Sequence, residues 1–584
     1  MHSALLIAAL IGLATLYHHR CFRHFSHPEA MDSAQLARNL AQGKGFTTDF
    51  IRPAGLYLLK KKTGETHLDG AHPDVANAPL YPWLLSLWMR LGGFDFEIRD
   101  AANFEEYGPE KQIAGFNQLL LILIVPGVWW LARRLFDTYV AWVAAGLFAG
   151  TDLLWRHALS GLSTPLVLVL VTLLAHLLVS FERCSGENAR TRHLWLLALA
   201  VGVVLGLLGL TRYAFAWLAL PVLVCITVWS GTRGFSSGLA VLSGFLLLMG
   251  PWCGRNIGWT GMAFGTAGFA VHQETPRFPG DVVERLMNPE DGDSPRDIRQ
   301  VGPGEYWAKL QARLPDELGT ALPGMGGNWI TMFFLVGLFL PFRSRALSRL
   351  RGFAFASVVA LLLIQALGRT RWGLEAKLVS ADDLLIALSP IVFVFGAGML
   401  AVLLGRMEGS PAVTRGILTP LLVTFLCLPL LLRLYAGESQ RFAYPPYYPP
   451  IIQERAHWLE EGELMMSDVP WATAWYGSRR SVWIPAEFAT GFLQIEREAP
   501  VAAVYLTART MDRPLVSGLI RGEDVLLGQF VADAVVNEQV PSGFPLRHAF
   551  AEGFPFQLFL SDRPRWRTKA ATEVDGGSTG SQTE

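Results

Sequence analysis

The sequence predicts an all-α bundle of membrane-spanning helices followed by a small α/β domain outside the membrane. Of the 584 residues, 51% are hydrophobic and only 17% are charged, which is less charge than a soluble chain of this length carries. Apolar stretches recur up to residue 435, whereas the part after it alternates short apolar strands with helix-like stretches. The 19 tryptophans suit aromatic belts at the membrane surfaces.

Charge and cysteine content exclude several other classes of protein. The 49 Lys and Arg residues balance the 49 Asp and Glu residues, so the chain has no net positive charge that would attract nucleic acid. None of the five cysteines forms a CxxC pair. The sequence therefore offers neither a disulfide framework nor the spacing of a cysteine zinc site.

Apolar stretches set the expected number of spans, because a bilayer core needs about 20 apolar residues per helix. We expect about 11 spans, at residues 2–18, 113–131, 139–154, 161–181, 194–211, 214–230, 236–253, 328–342, 353–368, 383–404 and 417–435. The first stretch lacks a basic start and a clear A-x-A site, which favours an uncleaved helix over a signal peptide. Residues 78–92 are a further half-span or interfacial helix.

Arginine placement predicts the orientation in the membrane. With a cytoplasmic amino terminus, the five inner loops carry 12 Arg and Lys residues against 4 acidic residues. An odd number of spans then puts the carboxyl terminus outside, in a bacterial-type inner or plasma membrane.

The expected domains derive from this topology. The membrane domain covers residues 1–435 and includes two outer loops, loop one (19–112) and loop two (254–327). A Pro/Tyr-rich linker at 436–450 contains "AYPPYYPP", and an extracytoplasmic α/β domain comes next, at 451–568. The polar residues 569–584 are expected to be disordered.

Loop one begins with an amphipathic stretch, "EAMDSAQLARNLAQGKGF", from Glu29 to Phe46. At 100° per residue, Asp32, Gln35 and Asn39 share one helical face and alanines fill the opposite side. Two glycines, Gly43 and Gly45, are expected to end the helix. We expect a helix on the membrane surface in which Asp32 is either a helix cap or a general base.

Four short motifs stand in a fixed order around this helix. "LARNLAQGKGF" comes after Asp32, "PLYP" spans Pro79–Pro82, "LTR" ends at Arg212, and "PWCGRNIGWTGMAF" spans Pro251–Phe264. The series resembles the membrane-embedded GT-C glycosyltransferases, in the branch that holds protein O-mannosyltransferases and lipid A aminoarabinose transferases. The resemblance covers residues 1–270, weakens through 271–435 and returns in "MSDVPWATAWYGSRRSVWIP" at 466–485.

The resemblance implies transfer of a sugar from a polyprenyl-phosphate carrier to a lipid, glycan or protein acceptor outside the cytoplasm. It also implies inversion at the anomeric carbon, with Asp32 as the general base. A lipid phosphate leaves, so cations should stabilise its developing charge. The candidate donor-phosphate residues are Arg212, Arg255, Asn256 and Arg371, with Arg369 and Lys377 as further choices. The candidate substrate-lining residues are Gln35, Asn39, Tyr81 and Tyr213.

The sequence departs from the family pattern at Thr164, where many relatives carry an acid. Asp152 is the candidate second acid, although a polar helix end is the favoured explanation. Interfacial anchoring is the competing explanation for each arginine. The adjacent acids Asp382 and Asp383 could pair with Arg369 or Arg371, and spacing does not decide between them.

Two further questions stay open at this level. "HLDGAHPD" brings His67, Asp69, His72 and Asp74 into one loop that could hold a divalent metal cation, although an ordinary solvated loop is favoured. A transporter or flippase for a lipid-linked glycan and a non-catalytic membrane scaffold are the alternative functions. A transporter should carry charges in the middle of its spans, whereas here they cluster at the outer ends.

Overall fold

The computed structural model describes residues 2–186, 191–290, 292, 296–327, 329–339, 344–368, 379–406, 414–437, 447–511, 525–536, 540, 543–551 and 557–566. Within them the helices of the amino-terminal half are α1 (His2–Cys21), α2 (Pro28–Ala41), α3 (Pro53–Thr63), α4 (Leu80–Gly92), α5 (Gly108–Leu135), α6 (Thr138–Ala149), α7 (Asp152–Leu159), α8 (Thr164–Gly186), α9 (Thr191–Thr211), α10 (Ala219–Trp229) and α11 (Gly234–Thr260).

The remaining helices are shorter on average. They are α12 (Val282–Arg285), α13 (Pro303–Asp316), α14 (Leu322–Gly324), α15 (Trp329–Phe339), α16 (Arg345–Gly368), α17 (Ser389–Gly405), α18 (Thr419–Leu426), α19 (Leu428–Ala436), α20 (Pro449–His457), α21 (Pro470–Gly477), α22 (Phe488–Glu498), α23 (Ala508–Met511) and α24 (Val525–Val536). Single 3-10 or π turns lie at Tyr213–Leu218, Gly231–Arg233, Gly265–Val271, Ile298–Gln300, Glu317–Ala321, Leu385–Leu388 and Thr414–Leu418.

The chain is a multi-pass membrane protein. By length and composition, six helical segments of the described residues can cross a membrane: Gly108–Leu135, Thr164–Gly186, Thr191–Thr211, Gly231–Thr260, Arg345–Gly368 and Leu385–Gly405. The count rises to eight if two bent helix pairs each form one span. Thr138–Ala149 and Tyr213–Trp229 lie where two more spans were predicted, but they are shorter than those six. The expected number of 11 spans and the orientation stay predictions.

The strands form one six-stranded sheet of order β1-β3-β2-β4-β6-β5. They are β1 (Phe50–Ile51), β2 (Leu464–Ser467), β3 (Ser481–Trp483), β4 (Val501–Leu506), β5 (His548–Phe550) and β6 (Leu558–Ser561). The first four strands in the sheet order pair in parallel, and β6 and β5 add antiparallel pairs. Strands β2 and β4 are buried along their whole length, as expected for strands covered on both faces.

The edge strand β1 comes from loop one, not from the carboxyl-terminal part of the chain. Phe50 lies opposite Ser481 of β3, and Ile51 lies opposite Val482. Ile51 belongs to the same apolar cluster as residues of β2, β3, β4 and β6. The carboxyl-terminal residues therefore complete their sheet with a strand that lies more than four hundred residues earlier in the sequence.

Loop two is fixed to the same sheet region. The Arg285 Nε donates to the carbonyl oxygen of Ile484 at 2.7 Å, and the backbone N–H of Ala486 donates to the carbonyl oxygen of Arg285 at 2.9 Å. Asp281 forms an ion pair with Arg509 at 2.8 Å. These contacts join loop two to the segments that flank β3 and β4.

Arg38 joins α2 to the last turn of α21. Its guanidinium donates to the carbonyl oxygens of Ala474 at 2.7 Å and Trp475 at 2.8 Å, and it pairs with Asp49 at 3.1 Å. The last carbonyls of a helix have no partner within the helix, and a cation there is favoured by the helix dipole. Arg38 therefore caps a helix that lies far away in the sequence.

Glu110 forms a second junction, at the start of α5. One carboxylate oxygen accepts from the Tyr476 hydroxyl at 2.6 Å and the Trp475 Nε1–H at 3.0 Å, and the other accepts from the backbone N–H of Phe25 at 2.8 Å. Glu110 is fully buried. A single carboxylate thus satisfies three buried donors from two distant segments.

Replacing Glu110 with Ala should destabilise the protein, because three buried donors lose their acceptor. We expect a loss of about 3 kcal/mol or more in the free energy of unfolding, seen as a lower unfolding temperature of the detergent-purified protein by tryptophan fluorescence. The exposed Glu97 of the same loop provides the control variant, Glu97→Ala. Equal unfolding temperatures for the two variants would contradict this role.

Candidate functional site

Helix α2 positions the site, and most of its residues are buried within the protein. It ends at Ala41, and Gly43 and Gly45 have φ values of 79° and 76°, as expected for the glycines after a helix end. Contacts with α4 and α21 cover the helix. Its small alanine side chains allow this close packing, and its polar face turns towards residues 47–52.

Asp32 is fully enclosed by hydrogen-bond donors. One carboxylate oxygen accepts from Arg52 Nη2 at 2.6 Å and from Asn77 Nδ2 at 2.9 Å. The other accepts from Gln35 Nε2 at 3.1 Å, and Asp32 has no exposed surface. Gln35 also bonds Thr48 Oγ1 at 2.8 Å, so it links α2 to the segment that leads into β1.

Arg52 is the centre of a buried charge network. Besides Asp32, its guanidinium contacts Glu284 at 3.3 Å and Asp74 at 3.9 Å, and it lies 4.0 Å from the centre of the Phe50 ring. Although burial disfavours the charged guanidinium, the three acids raise the pKa of Arg52 above its ordinary value. One cation from the β1–α3 junction thus binds acids from α2, loop one and loop two.

The network contains three carboxyl groups and a single guanidinium, which favours protonation of the carboxyl groups. Burial raises the pKa of Glu284 to about 7, and burial together with Asp32 raises the pKa of Asp74. Asp74 also accepts the backbone N–H groups of Ala76 and Asn77 at 3.1 and 2.8 Å. The site can therefore hold a proton on a carboxyl group near neutral pH.

Asn77 connects the network to α11. Its side chain donates to Asp32 and Asp74, and its carbonyl oxygen accepts from the Tyr213 hydroxyl at 2.9 Å. Tyr213 in turn accepts from Asn256 Nδ2 at 3.2 Å. Asn77 therefore links Asp32 to the predicted residue Tyr213, and Tyr213 links it to the predicted residue Asn256.

Arg255 lies in the same arrangement, and its guanidinium is hydrogen-bonded to other groups of the protein. Its Nη1 donates to the carbonyl oxygen of Asp74 at 2.7 Å and to Asn256 Oδ1 at 3.0 Å. Its guanidinium carbon lies 4.7 Å from the Trp252 ring centre and 5.4 Å from that of Phe46. These contacts fix α11 against loop one.

Arg212 is close enough to Glu29 of α2 for their charges to interact. Its Nε donates to Ser163 Oγ at 2.8 Å, its Nη1 to the carbonyl oxygen of Ala381 at 2.6 Å and its Nη2 to Thr164 Oγ1 at 3.2 Å. A guanidinium carries five N–H groups, so two of them have no partner within the part of the chain that the structure describes. Thr164, which stands where many relatives have an acid, contacts this arginine.

Glu29 is the second acid of α2, and it is half-buried, whereas Asp32 is closed off. Burial raises the pKa of its carboxyl group, although the positive charges of Arg212 and Arg52 oppose this shift. Glu29 lies in the first turn of α2, where the helix dipole favours a carboxylate. It is thus a titratable acid between the Arg52 network and Arg212.

The structure places the other predicted residues elsewhere or outside the described residues. Asp152 accepts from the Tyr17 hydroxyl at 2.8 Å and pairs with Arg156 at 2.5 Å, at the junction of α1 and α7. The Tyr81 hydroxyl donates to the carbonyl oxygen of Gly161 at 2.8 Å, in the core. Asn39 bonds the carbonyl oxygen of Thr47 at 3.0 Å. Arg371, Arg369 and Lys377 lie outside the described residues.

The four candidate metal ligands of loop one, His67, Asp69, His72 and Asp74, do not come together as a metal site in the described residues. No three His, Cys, Asp or Glu side chains among the described residues group as metal ligands. His72 is buried and faces the carbonyl oxygen of His67 at 3.4 Å, while Asp69 is exposed and Asp74 serves Arg52 and Asn77. Burial lowers the pKa of His72 to about 4. The four side chains thus do not group around a common point.

Arg52, Asn77, Glu284 and Glu29 are the site residues that the sequence analysis missed. Asn77 lies two residues before "PLYP", outside that motif, whereas Glu29 opens the amphipathic stretch already noted. Arg52 stands alone between apolar residues in "FIRPAG", which is a weak signal for a buried cation.

Comparisons with known proteins agree with the resemblance. Residues 68–249 match the family model of dolichyl-phosphate-mannose-protein mannosyltransferases. None of the curated protein sequences compared with the chain matches it significantly. Both the predicted resemblance to GT-C enzymes and the prediction of a glycosyltransferase are confirmed.

Solved structures show the same fold at low sequence identity. ArnT from Cupriavidus metallidurans bound to undecaprenyl phosphate aligns with a TM-score of 0.55 and 11% identity, over 96% of this chain and 98% of that one. The oligosaccharyltransferase AglB from Archaeoglobus fulgidus, in complex with an inhibitory peptide and a dolichol-phosphate, aligns with a TM-score of 0.54 and 10% identity, over 96% and 74%. The chain therefore has the GT-C fold.

Glu284 should make stability fall as pH rises. Its pKa is about 7 in the folded protein against an ordinary value of 4.5, so folding takes up a proton between these values. The stability is full at low pH and decreases by up to about 3 kcal/mol as the carboxyl ionises.

Unfolding temperatures at about pH 5 and about pH 8 test this dependence. In Glu284→Gln, which cannot ionise, we expect a smaller decrease than in the wild type. Glu65→Gln, at an acid whose side chain is 78% exposed, should behave as the wild type does. An unchanged decrease in Glu284→Gln would refute the assignment.

Proposed function

We propose that this protein transfers a sugar from a polyprenyl-phosphate carrier to an extracytoplasmic lipid, glycan or protein acceptor, with inversion at the anomeric carbon. The observation that carries the proposal is the position of α2, which places two carboxylates beside Arg212 and the Arg52 network. The match to the mannosyltransferase family model and the relatives that bind undecaprenyl phosphate or a dolichol-phosphate support this donor class.

In this mechanism the acceptor hydroxyl attacks the anomeric carbon while the bond from that carbon to the phosphate oxygen breaks. The hydroxyl proton passes to a carboxylate of α2, and the polyprenyl phosphate leaves with the bonding electron pair. A guanidinium next to the leaving oxygen lowers the barrier, because the phosphate carries more negative charge in the transition state than in the bound donor. Arg212 fits this role through its two remaining N–H groups.

The general base is one of two carboxylates, and the geometry distinguishes them. Asp32, which the sequence analysis selected, accepts three hydrogen bonds and must exchange one of them before it can meet an acceptor hydroxyl. Glu29 is half-buried, and no side chain among the described residues is seen donating a hydrogen bond to its carboxylate. A base with a raised pKa also takes a proton more readily near neutral pH, and burial raises the pKa of Glu29.

Removing the base should abolish transfer without removing the protein from the membrane. We expect the variant at the base, Glu29→Gln or Asp32→Asn, to lower transfer by about 10²- to 10⁴-fold. A deletion strain complemented with each variant would be analysed by mass spectrometry of envelope glycans and lipids, with protein abundance measured in parallel. Glu97→Gln serves as the control at an exposed acid of loop one.

The outcomes separate the roles. Loss of transfer in Glu29→Gln alone identifies Glu29 as the base and Asp32 as a structural acid. Loss in Asp32→Asn at normal abundance identifies Asp32. Full transfer in both variants would refute a base on α2, and a deletion strain with unchanged glycans and lipids would favour a scaffold.

Arg212 should contribute to binding of the donor phosphate. In Arg212→Gln we expect undecaprenyl phosphate to bind about tenfold more weakly or worse, because a charge-assisted hydrogen bond is lost. The dependence of the unfolding temperature on lipid concentration measures this affinity. Arg192→Gln, at an exposed arginine on the opposite end of α9, is the control. Equal affinities in the two variants would exclude Arg212 from the phosphate site.

A further inference from the structure

A separate cavity of about 540 Å³ lies between α3, α22 and the segment after α12. Its apolar lining comes from Leu56, Leu68, Met287 and Ile495. All four also belong to, or pack against, the apolar cluster that supports the sheet. The volume falls in the range of cavities that hold small organic ligands, well above that of an ion site.

Positive charge dominates the lining of this cavity. Lys60 pairs with Glu498, and Lys61 pairs with Glu290. Arg497 also lines the cavity and has no ion-pair partner in the part of the chain that the structure describes. Because the paired lysines are exposed, their ion pairs are weak and open to exchange with another anion.

The uncharged polar groups of the lining suit a polyhydroxylated ligand. Asn288 and Gln494 provide amide donors and acceptors, and Thr66 adds a hydroxyl that already bonds Glu498 at 3.1 Å. The half-buried Tyr57 presents an aromatic ring, and Lys61 Nζ lies 5.6 Å from its centre. A sugar ring has C–H faces that pack on an aromatic ring and hydroxyls that meet amides.

We propose that this cavity binds an acidic saccharide, a sugar that bears a carboxylate or a phosphate. The anion is placed by Arg497 and the two lysines, and the ring packs between Tyr57 and the apolar lining. A neutral sugar would leave the guanidinium without an anion, and a plain hydrophobic ligand would bury the amides without partners.

Helix α3 connects the cavity to the charge network. This helix begins directly after Arg52, and Lys60 is eight residues farther along, about 12 Å at 1.5 Å per residue. An acidic sugar in the cavity could thus belong to a longer acceptor glycan whose reacting end approaches α2. This acceptor role rests on the proposed function, whereas saccharide binding itself does not.

Calorimetric titration of the full-length protein in lipid nanodiscs tests the site. The probes are cellobiose, cellobiouronic acid and glucose 6-phosphate, so that the neutral, carboxylate and phosphate cases are compared. We expect at least one acidic probe to bind about fivefold or more tightly than cellobiose. The tighter acidic probe then identifies the anion that the cavity prefers.

Variants assign binding to this cavity. Arg497→Gln and Lys61→Gln should each weaken the acidic probe about fivefold. Lys62→Gln, the neighbouring exposed lysine of α3 outside the lining, should leave its affinity unchanged. Equal binding of cellobiose, no binding of any probe, or an equal loss in Lys62→Gln would overturn the proposal.

Catalytic variants separate this inference from the proposed function. Glu29→Gln and Asp32→Asn should bind the acidic probe as the wild type does, because neither residue lines the cavity. Binding that persists while transfer is lost supports both conclusions. Binding without any transfer activity in the wild type would leave the saccharide site standing and refute only the transferase.

Discussion

The buried Arg52 forms the ion pairs on which the position of α2 and of the loops around it depends. It joins Asp32 of α2, Asp74 of loop one and Glu284 of loop two. Breaking a buried ion pair by removing one partner costs about 3–5 kcal/mol, because the remaining charge is left unpaired. The position of Arg52 therefore fixes where α2 can lie and how loop two folds over it.

Arg52 also lies at the junction of two elements with different roles. The residues before it form β1, the edge strand of the carboxyl-terminal sheet, and the residues after it form α3, which lines the saccharide cavity. Arg38 and Glu110 complete the connection by binding α21. Sheet, cavity and α2 are thus parts of one polar framework, and movement of the carboxyl-terminal region would displace the site.

Local features of this framework were predictable from the sequence, and non-local ones were not. The helix of residues 28–41, its polar residues Asp32 and Gln35 and its glycine-marked end are set by patterns within a few turns of chain. Arg52 meets Asp32 across 20 residues and Glu284 across 232, so no local pattern can pair them. The burial of α2 was missed for the same reason, since it depends on α21.

The excess of acids over cations in the network explains why the site suits proton transfer at a membrane surface. One guanidinium cannot neutralise three buried carboxylates, so at least one carboxyl keeps its proton near neutral pH, and Glu284 has a pKa of about 7. The helix that carries Asp32 in this network also carries Glu29, one turn away and less enclosed. Because a single helical turn separates the two carboxylates, the ion pair that fixes Asp32 also fixes the position of Glu29.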